Sequence, residues 1–342
     1  MIKLSFSTLM RIATLMAACV LVGCGGASST VNPLTPTRII AFGDQLSAVD
    51  SSGRGTYTVY LTDTNTTVAS RLAAIYGLTM SICEYATVNC VVSSGTAISY
   101  AEGATTTTAR VTVPAQIKAY LENNTPGGSD LFIITAGTND IASAALTNDT
   151  STIALAATNL TTAIQTLTTA GAQYVLVMQP LNVARTPPFL ASNGVRSAGA
   201  NASYNSYAQA LSYDTGTACQ SFSCLLSTKL NAAYPATSSH QPILLADLMS
   251  YFNLITGTTN TGSANTFSSY GVTNPDLNVC SSITVPATSI CSLATTSTNQ
   301  YTSTSWDYTS SVFAYNYYLT PFAHRLLADY IYNYNFYRAG WR

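Results

Sequence analysis

The chain has 342 residues, with 13 Lys and Arg against 14 Asp and Glu, and only 8% of its side chains are charged. That balance leaves no basic patch for nucleic acid. Abundant Ser, Thr, Asn and Tyr beside 47% hydrophobic residues describe a neutral polar surface around a core, not a disordered acidic chain. The length suits one large domain.

The first segment reads as an export signal. Lys3 and Arg11 supply positive charge, and Ile12 to Val22 is an apolar core too short to span a bilayer as a mature helix. Leu21-Val22-Gly23-Cys24 closes it in the pattern of a bacterial lipobox. Cleavage before Cys24 leaves that thiol for diacylation; the plainer reading is an ordinary signal peptide with a chance cysteine. Residues 1–23 are then the signal and residues 24–37, rich in Gly, Ser, Thr and Pro, a flexible tether. Loss of residues 1–23 removes two basic residues and no acidic one, leaving a mature charge near −3. Gly25 and Gly26 carry no Asp-after-Cys inner-membrane signal, so the expected address is the outer membrane of a two-membrane envelope.

Further along, Arg38 to Phe42 is a short apolar strand entering a tight turn. A helix follows with Val68, Leu72, Ala73 and Tyr76 on one face. Pro114 to Leu121 reads as another, with proline suited to its first turn. Asp130 to Thr135 has a buried-strand pattern, Thr152 to Thr169 is a long helix ended at Gly171, and Tyr174 to Met178 is a second buried strand. Ala198 to Tyr213 is helical, Ile243 to Leu245 a short strand, and Thr320 to Tyr332 an amphipathic helix. Strands separated by helices imply an α/β fold with a parallel sheet covered on both faces, over residues 38–342. The Ser/Thr/Asn-rich stretches 84–112, 214–241 and 257–312 read as surface loops.

Cysteine usage fits an oxidising compartment. Cys19 leaves with the signal, and the six beyond Cys24 fall into close pairs: Cys83 with Cys90, Cys219 with Cys224, and Cys280 with Cys291. Three local disulfides are expected, although six cysteines allow many pairings. A metal site is the rival reading, but no Cys-x-x-Cys or adjacent histidine accompanies them, so no metal or cofactor is expected.

The turn after the first strand, Phe42-Gly43-Asp44-Gln45-Leu46-Ser47, resembles the first block of the SGNH (GDSL) lipase/esterase family, Phe-Gly-Asp-Ser-Leu-Ser. Ala136-Gly137-Thr138-Asn139-Asp140 resembles its Gly-x-Asn-Asp block, and Tyr100-Ala101-Glu102-Gly103-Ala104 its glycine block. The C-terminal signature Ala323-His324-Arg325-Leu326-Leu327-Ala328 resembles the helix that follows the family's Asp-x-x-His-Pro-Thr. The resemblance implies a three-layer α/β/α sandwich of flavodoxin-like type. It also implies oxyanion donors at Gly103 and Asn139, a nucleophile position at Gln45, an acid position at Tyr315 and a base position at Tyr318.

All three triad positions are then substituted. An amide cannot form an acyl-enzyme, and a phenol with pKa near 10 is a poor base at neutral pH. His324 lies six residues beyond position 318, roughly 9 Å along a helix, and so cannot act for the missing base. His240 falls in a polar loop, and Ser47 is the one candidate for a relocated nucleophile. Phe313, Tyr315, Tyr317 and Tyr318 with Gln45 suit a neutral small-molecule, acyl or carbohydrate ligand, or simply fill a redundant pocket. The sequence therefore points to an envelope lipoprotein of esterase ancestry without hydrolytic chemistry. The rivals are an active carboxylesterase using unorthodox residues and a structural or partner-binding envelope protein.

Overall fold

The computed structural model describes residues 33–61, 63–83, 90–102, 112–147, 149, 151–190, 212, 219–235, 241–257, 266–280, 291–292 and 307–342. Cys24 and Gly103 lie outside these residues, as do His240 and all of the expected 198–213 helix except Ser212. Leu34–Arg342 forms one compact unit.

Its strands are β1 (Arg38–Gly43), β2 (Val59–Tyr60), β3 (Met80–Ile82), β4 (Thr96–Ser99), β5 (Leu131–Thr135), β6 (Tyr174–Met178), β7 (Ile243–Ala246), β8 (Asn274–Asn278), β9 (Cys291–Ser292), β10 (Ser311–Tyr315) and β11 (Tyr318–Leu319). Its helices are α1 (Val68–Ile75), α2 (Val113–Asn123), α3 (Thr138–Thr147), α4 (Ser151–Thr169), α5 (Phe222–Ala233), α6 (Leu248–Ile255) and α7 (Pro321–Tyr330). The main sheet is six-stranded in the order β3-β4-β1-β5-β6-β7, and every pairing in it is parallel. From central β1 the chain goes to one side for β3 and β4, then crosses to the other for β5, β6 and β7. The carboxyl ends of β1 and β5 therefore flank a topological switch point, where open α/β sheets bind ligands.

Parallel strands covered on both faces carry continuous apolar runs, and here alternate residues serve two separate cores. Ile40, Phe42, Phe132, Ile134, Val175 and Val177 pack on one face with residues of α2, α3, α4 and α5. Ile39, Ala41, Leu131, Ile133, Leu176 and Met178 pack on the other with α1, α6 and α7. Thr67 caps α1 in a reciprocal capping box with Ser70, Thr112 caps α2 ahead of Pro114, and Thr320 caps α7 ahead of Pro321.

Several expectations change. The 84–112 stretch contains β4, which pairs with both β1 and β3. The 214–241 stretch contains α5: Ser221 caps it and Phe222, Leu226 and Leu230 form a buried stripe at four-residue spacing. The 257–312 stretch contains β8 and the start of β10. The expected tether ends sooner than Thr37, because Leu34 is buried and its N–H donates to the Trp341 carbonyl (3.1 Å). The last helix passes into a π-helical turn, Ile331–Phe336. Cys83–Cys90 and Cys219–Cys224 are disulfides, with Cα separations of 5.9 and 5.5 Å. Cys280 is also disulfide-bonded, while the side chain of Cys291 lies outside the described residues.

Candidate active site

The turn after β1 is fixed from several sides. Gly43 has φ of 132°, and a Cβ there would lie 1.9 Å from the Thr135 carbonyl oxygen, so only glycine lets β1 and β5 approach this closely. The buried Gln116 side chain clamps Gly43: Gly43 N–H donates to Oε1 (2.6 Å) and Nε2 donates to the Gly43 carbonyl (3.0 Å). Asp44 N–H donates to Thr135 Oγ1 (3.1 Å), and Asp44 Oδ1 accepts from Leu46 N–H (3.1 Å). The Asp44 carbonyl accepts from both Ser47 and Ala48 N–H.

Burial pushes the Asp44 carboxyl up to about 6, opposed by the Leu46 and Thr135 hydrogen bonds and reinforced by nearby Asp140. Asp44 carries the highest-stakes charge of the turn, because it sits at the mouth of a cavity.

Gln45 is fully buried, and both Nε2 and Oε1 lack a partner among the described residues. Ser47 is also fully buried. Its hydroxyl lies 3.3 Å from Thr135 Oγ1 and its carbonyl accepts from Ser99 Oγ (2.7 Å), which ties it into the sheet end rather than towards solvent.

Asn139 is the second residue of α3, directly after β5 and its Ala136-Gly137 turn. Gly137 has φ of 104°, and a Cβ there would strike the Phe222 ring at 2.6 Å. Asn139 Oδ1 is buried without a partner among the described residues. Because Gly43 and Thr135 are register partners, the Asp44 turn and the Asn139 helix start from adjacent strand ends about 5 Å apart.

β10 and β11 form a hairpin in which Tyr315 pairs with Tyr318. Its two-residue turn, Asn316-Tyr317, has Asn316 at φ of 52°, the left-handed conformation that asparagine tolerates. Tyr318 is buried with Val59, Val279, Cys280 and Ala314, against the partly buried Tyr57, Tyr315 and Tyr317. Its ring centroid lies 5.4 Å from Tyr57 and 4.8 Å from Tyr317. Burial raises the Tyr318 phenol far above its ordinary value, with Tyr317, Tyr57 and Asp44 adding to the shift. The Asp44 contribution places the hairpin within electrostatic reach of the β1 turn.

His324 is buried, neither ring nitrogen has a partner, and burial lowers its pKa to about 3, so it is a neutral ring at any ordinary pH.

A cavity of about 1200 Å³ opens beside this turn. It is lined at the strand ends by Gly43, Asp44, Thr135, Gly137 and Asn139, and along its walls by Val113, Ile117 and Leu121 of α2 and Ala156, Leu160 and Ala163 of α4. The structure thus brings Asp44 and Asn139 together along one cavity; Gln45, Tyr315 and Tyr318 are not among its lining residues, and Gly103 lies outside the described residues. Gln45 is fully buried and Tyr318 only 2% exposed. The sequence reading missed Gln116 and Thr135; the available signal for Thr135 was its being the one polar residue of the otherwise apolar β5. Among the described residues no group of three or more His, Cys, Asp or Glu is placed to hold a metal.

A family profile described as GDSL-like Lipase/Acylhydrolase matches residues 39–234. The chain belongs to this family. The match covers the β1 turn, α2, the Asn139 helix, α4 and Phe222 of α5, which line the cavity of this GDSL-like chain. It stops before β10 and β11, so the assignment of Tyr315 and Tyr318 to the acid and base positions rests on the motif resemblance. No curated protein matches the chain.

Proposed function

We propose that this GDSL-like protein has kept the fold and part of the oxyanion site of an acylhydrolase while losing hydrolysis, and that it binds a ligand in the cavity beside Asp44 and Asn139. The observation that carries the reading is Gln45, an amide at the place where the family holds its serine. The neighbouring groups supply no substitute. Ser47 is bonded into the sheet end, His324 is buried and neutral, and the Tyr318 phenol is held protonated. Loss of a triad serine or histidine costs about 10⁶ in turnover, and an oxyanion hole alone retains about 10³–10⁴ over water.

The ligand this cavity favours is neutral with an apolar body. Its walls are largely aliphatic, and Asp44, Glu102, Asp140 and Glu122 line it against Lys118 alone, which is paired with Glu122. An anion is disfavoured there. An acyl or other apolar group with one hydrogen-bonding head matches the unpartnered Asn139 oxygen. In this reading the chain is an envelope lipoprotein anchored through Cys24, placed in the outer membrane by the residues after that cysteine.

The test is ester turnover by the purified protein. Hydrolysis of p-nitrophenyl esters at the background rate is expected. Robust turnover that survives Gln45→Ala and disappears in Ser47→Ala would establish the active-esterase alternative instead.

A further inference from the structure

The sheet separates two ends of the molecule. Gly43 and Thr135 close β1 and β5 at the carboxyl edge, where the cavity opens. At the opposite edge Leu34 enters four residues before β1, hydrogen-bonded to Trp341. The Trp341 ring packs edge-on against Tyr174, the first residue of β6, and against Phe336, each with centroids 5.4 Å apart. A six-residue strand spans about 20 Å, which is the distance between the two edges.

The chain around Trp341 has an unusual surface. Tyr337 is 69% exposed and Tyr334 46%, and both are among the few large hydrophobic side chains left in solvent. Arg338 lies 5.2 Å over the Tyr334 ring and donates to its hydroxyl (2.6 Å), and Arg342 lies 4.9 Å over Tyr332. From Tyr330 to Arg342 there is no acidic residue. A chain whose mature charge is near −3 therefore concentrates tyrosines and two arginines where its N-terminal segment joins the fold. Cys24 lies ten residues before Leu34, so an anchored cysteine is within about 35 Å of this face at full extension.

We propose that the Tyr334-Tyr337-Arg338-Arg342 face rests on an anionic lipid surface, holding the cavity at the far edge of the sheet turned away from that membrane. Tyrosines with an apolar ring and a polar tip belong at headgroup depth, and arginines beside them meet lipid phosphates. The orientation rests in part on the Cys24 anchor; the face itself does not.

The two are tested separately. The chain from residue 25 onward retains every described residue and lacks Cys24, so its partition onto vesicles reads the face alone. It should sediment with phosphatidylglycerol/phosphatidylethanolamine vesicles, far less with phosphatidylcholine, and less as salt rises. Arg338→Gln and Arg342→Gln should each weaken partition about fivefold, the equivalent of about 1 kcal/mol per arginine at an anionic surface. In a Trp306→Phe background, brominated acyl lipids should quench Trp341, and Tyr337→Ser should reduce that quenching. Equal partition of the wild-type chain and the double arginine variant, or an unquenched Trp341, overturns the proposal. The anchor is read independently by mass spectrometry of residue 24 in the exported protein, where an unmodified thiol removes the tether and leaves the face standing.

Discussion

Two buried titratable groups with opposite shifts make a sharp prediction about pH. The Asp44 carboxyl is raised from 3.8 to about 6 in the fold. Between those values the folded chain holds a proton that the unfolded chain has released, so this group's contribution is full below pH 4 and is lost as pH rises to 6, amounting to roughly 3 kcal/mol. His324 is lowered from 6.5 to about 3. The unfolded chain takes up a proton that the folded chain refuses, so its contribution is full above pH 6.5 and falls by roughly 5 kcal/mol as pH drops to 3. From pH 4 to 6 the two slopes, about 1.4 kcal/mol per pH unit each, oppose and nearly cancel. The informative perturbation is His324→Leu, which also removes two unpartnered ring nitrogens. Relative to wild type it should gain about 1.4 kcal/mol for each unit of acidification from pH 6.5 to 4. Asp44→Asn should do the reverse, gaining stability over wild type as pH rises through the same window. Urea denaturation at pH 7, 6, 5 and 4, followed by far-ultraviolet dichroism, measures both. A His324→Leu curve parallel to wild type would mean that the folded chain protonates His324, and the buried, neutral imidazole would be wrong.

Other outcomes follow from single contacts. Arg38 Nε donates to Asp130 Oδ1 (2.9 Å) while its Nη groups reach the Val92 and Thr125 carbonyls, so Arg38→Gln leaves a buried carboxylate and should cost about 3 kcal/mol in chemical denaturation. The double change Cys83→Ala, Cys90→Ala opens a short loop and should cost about 2–3 kcal/mol, read as a lowered urea midpoint. Gln45→Ser should leave ester hydrolysis at background, since a serine without a base is a weak nucleophile. Gln45→Ser with Tyr315→Asp and Tyr318→His should raise it above that single variant in a p-nitrophenyl ester assay. Gln45→Met replaces two unsatisfied polar atoms by an apolar group of similar length and should stabilise by about 1–3 kcal/mol, seen as a higher thermal midpoint.

The strands were legible where one signal sufficed. β1, β5 and β6 are apolar on both faces, and continuous runs such as Leu131 to Ile134 have few other uses. β4 was not legible, because Thr96-Ala97-Ile98-Ser99 is short and only its placement between β1 and β3 makes it a strand. α5 was hidden by its Ser-rich surroundings, although its three-residue buried stripe was present. At the site, the motif blocks placed Gln45 and Asn139 just after β1 and β5, without singling out Asp44, which lines the cavity. They could not say which side chains face the cavity, since neighbours in one turn differ: Asp44 lines it while Gln45 beside it is fully buried elsewhere in the packing.

The polar atoms around the β1 turn bear on whether the old pocket is merely filled. Gln116 bonds both the N–H and the carbonyl of Gly43, Thr135 holds Asp44, and Ser99 holds Ser47. These bonds fix the backbone at the cavity mouth to within a single conformation. Gln45 and Asn139 contribute buried polar atoms that nothing among the described residues satisfies. A buried atom of that kind costs about 1–3 kcal/mol, and filling a void needs only apolar volume. Rigid support on one side and unspent hydrogen-bonding capacity on the other are what a binding site requires and what a plugged pocket does not. For Asn139, which lines the cavity, the missing partner is therefore best sought in a ligand. For Gln45, which does not line it, the Gln45→Met variant separates the two cases: stabilisation with unchanged ligand affinity makes the amide a passive filler, and stabilisation with weakened affinity makes it part of the site.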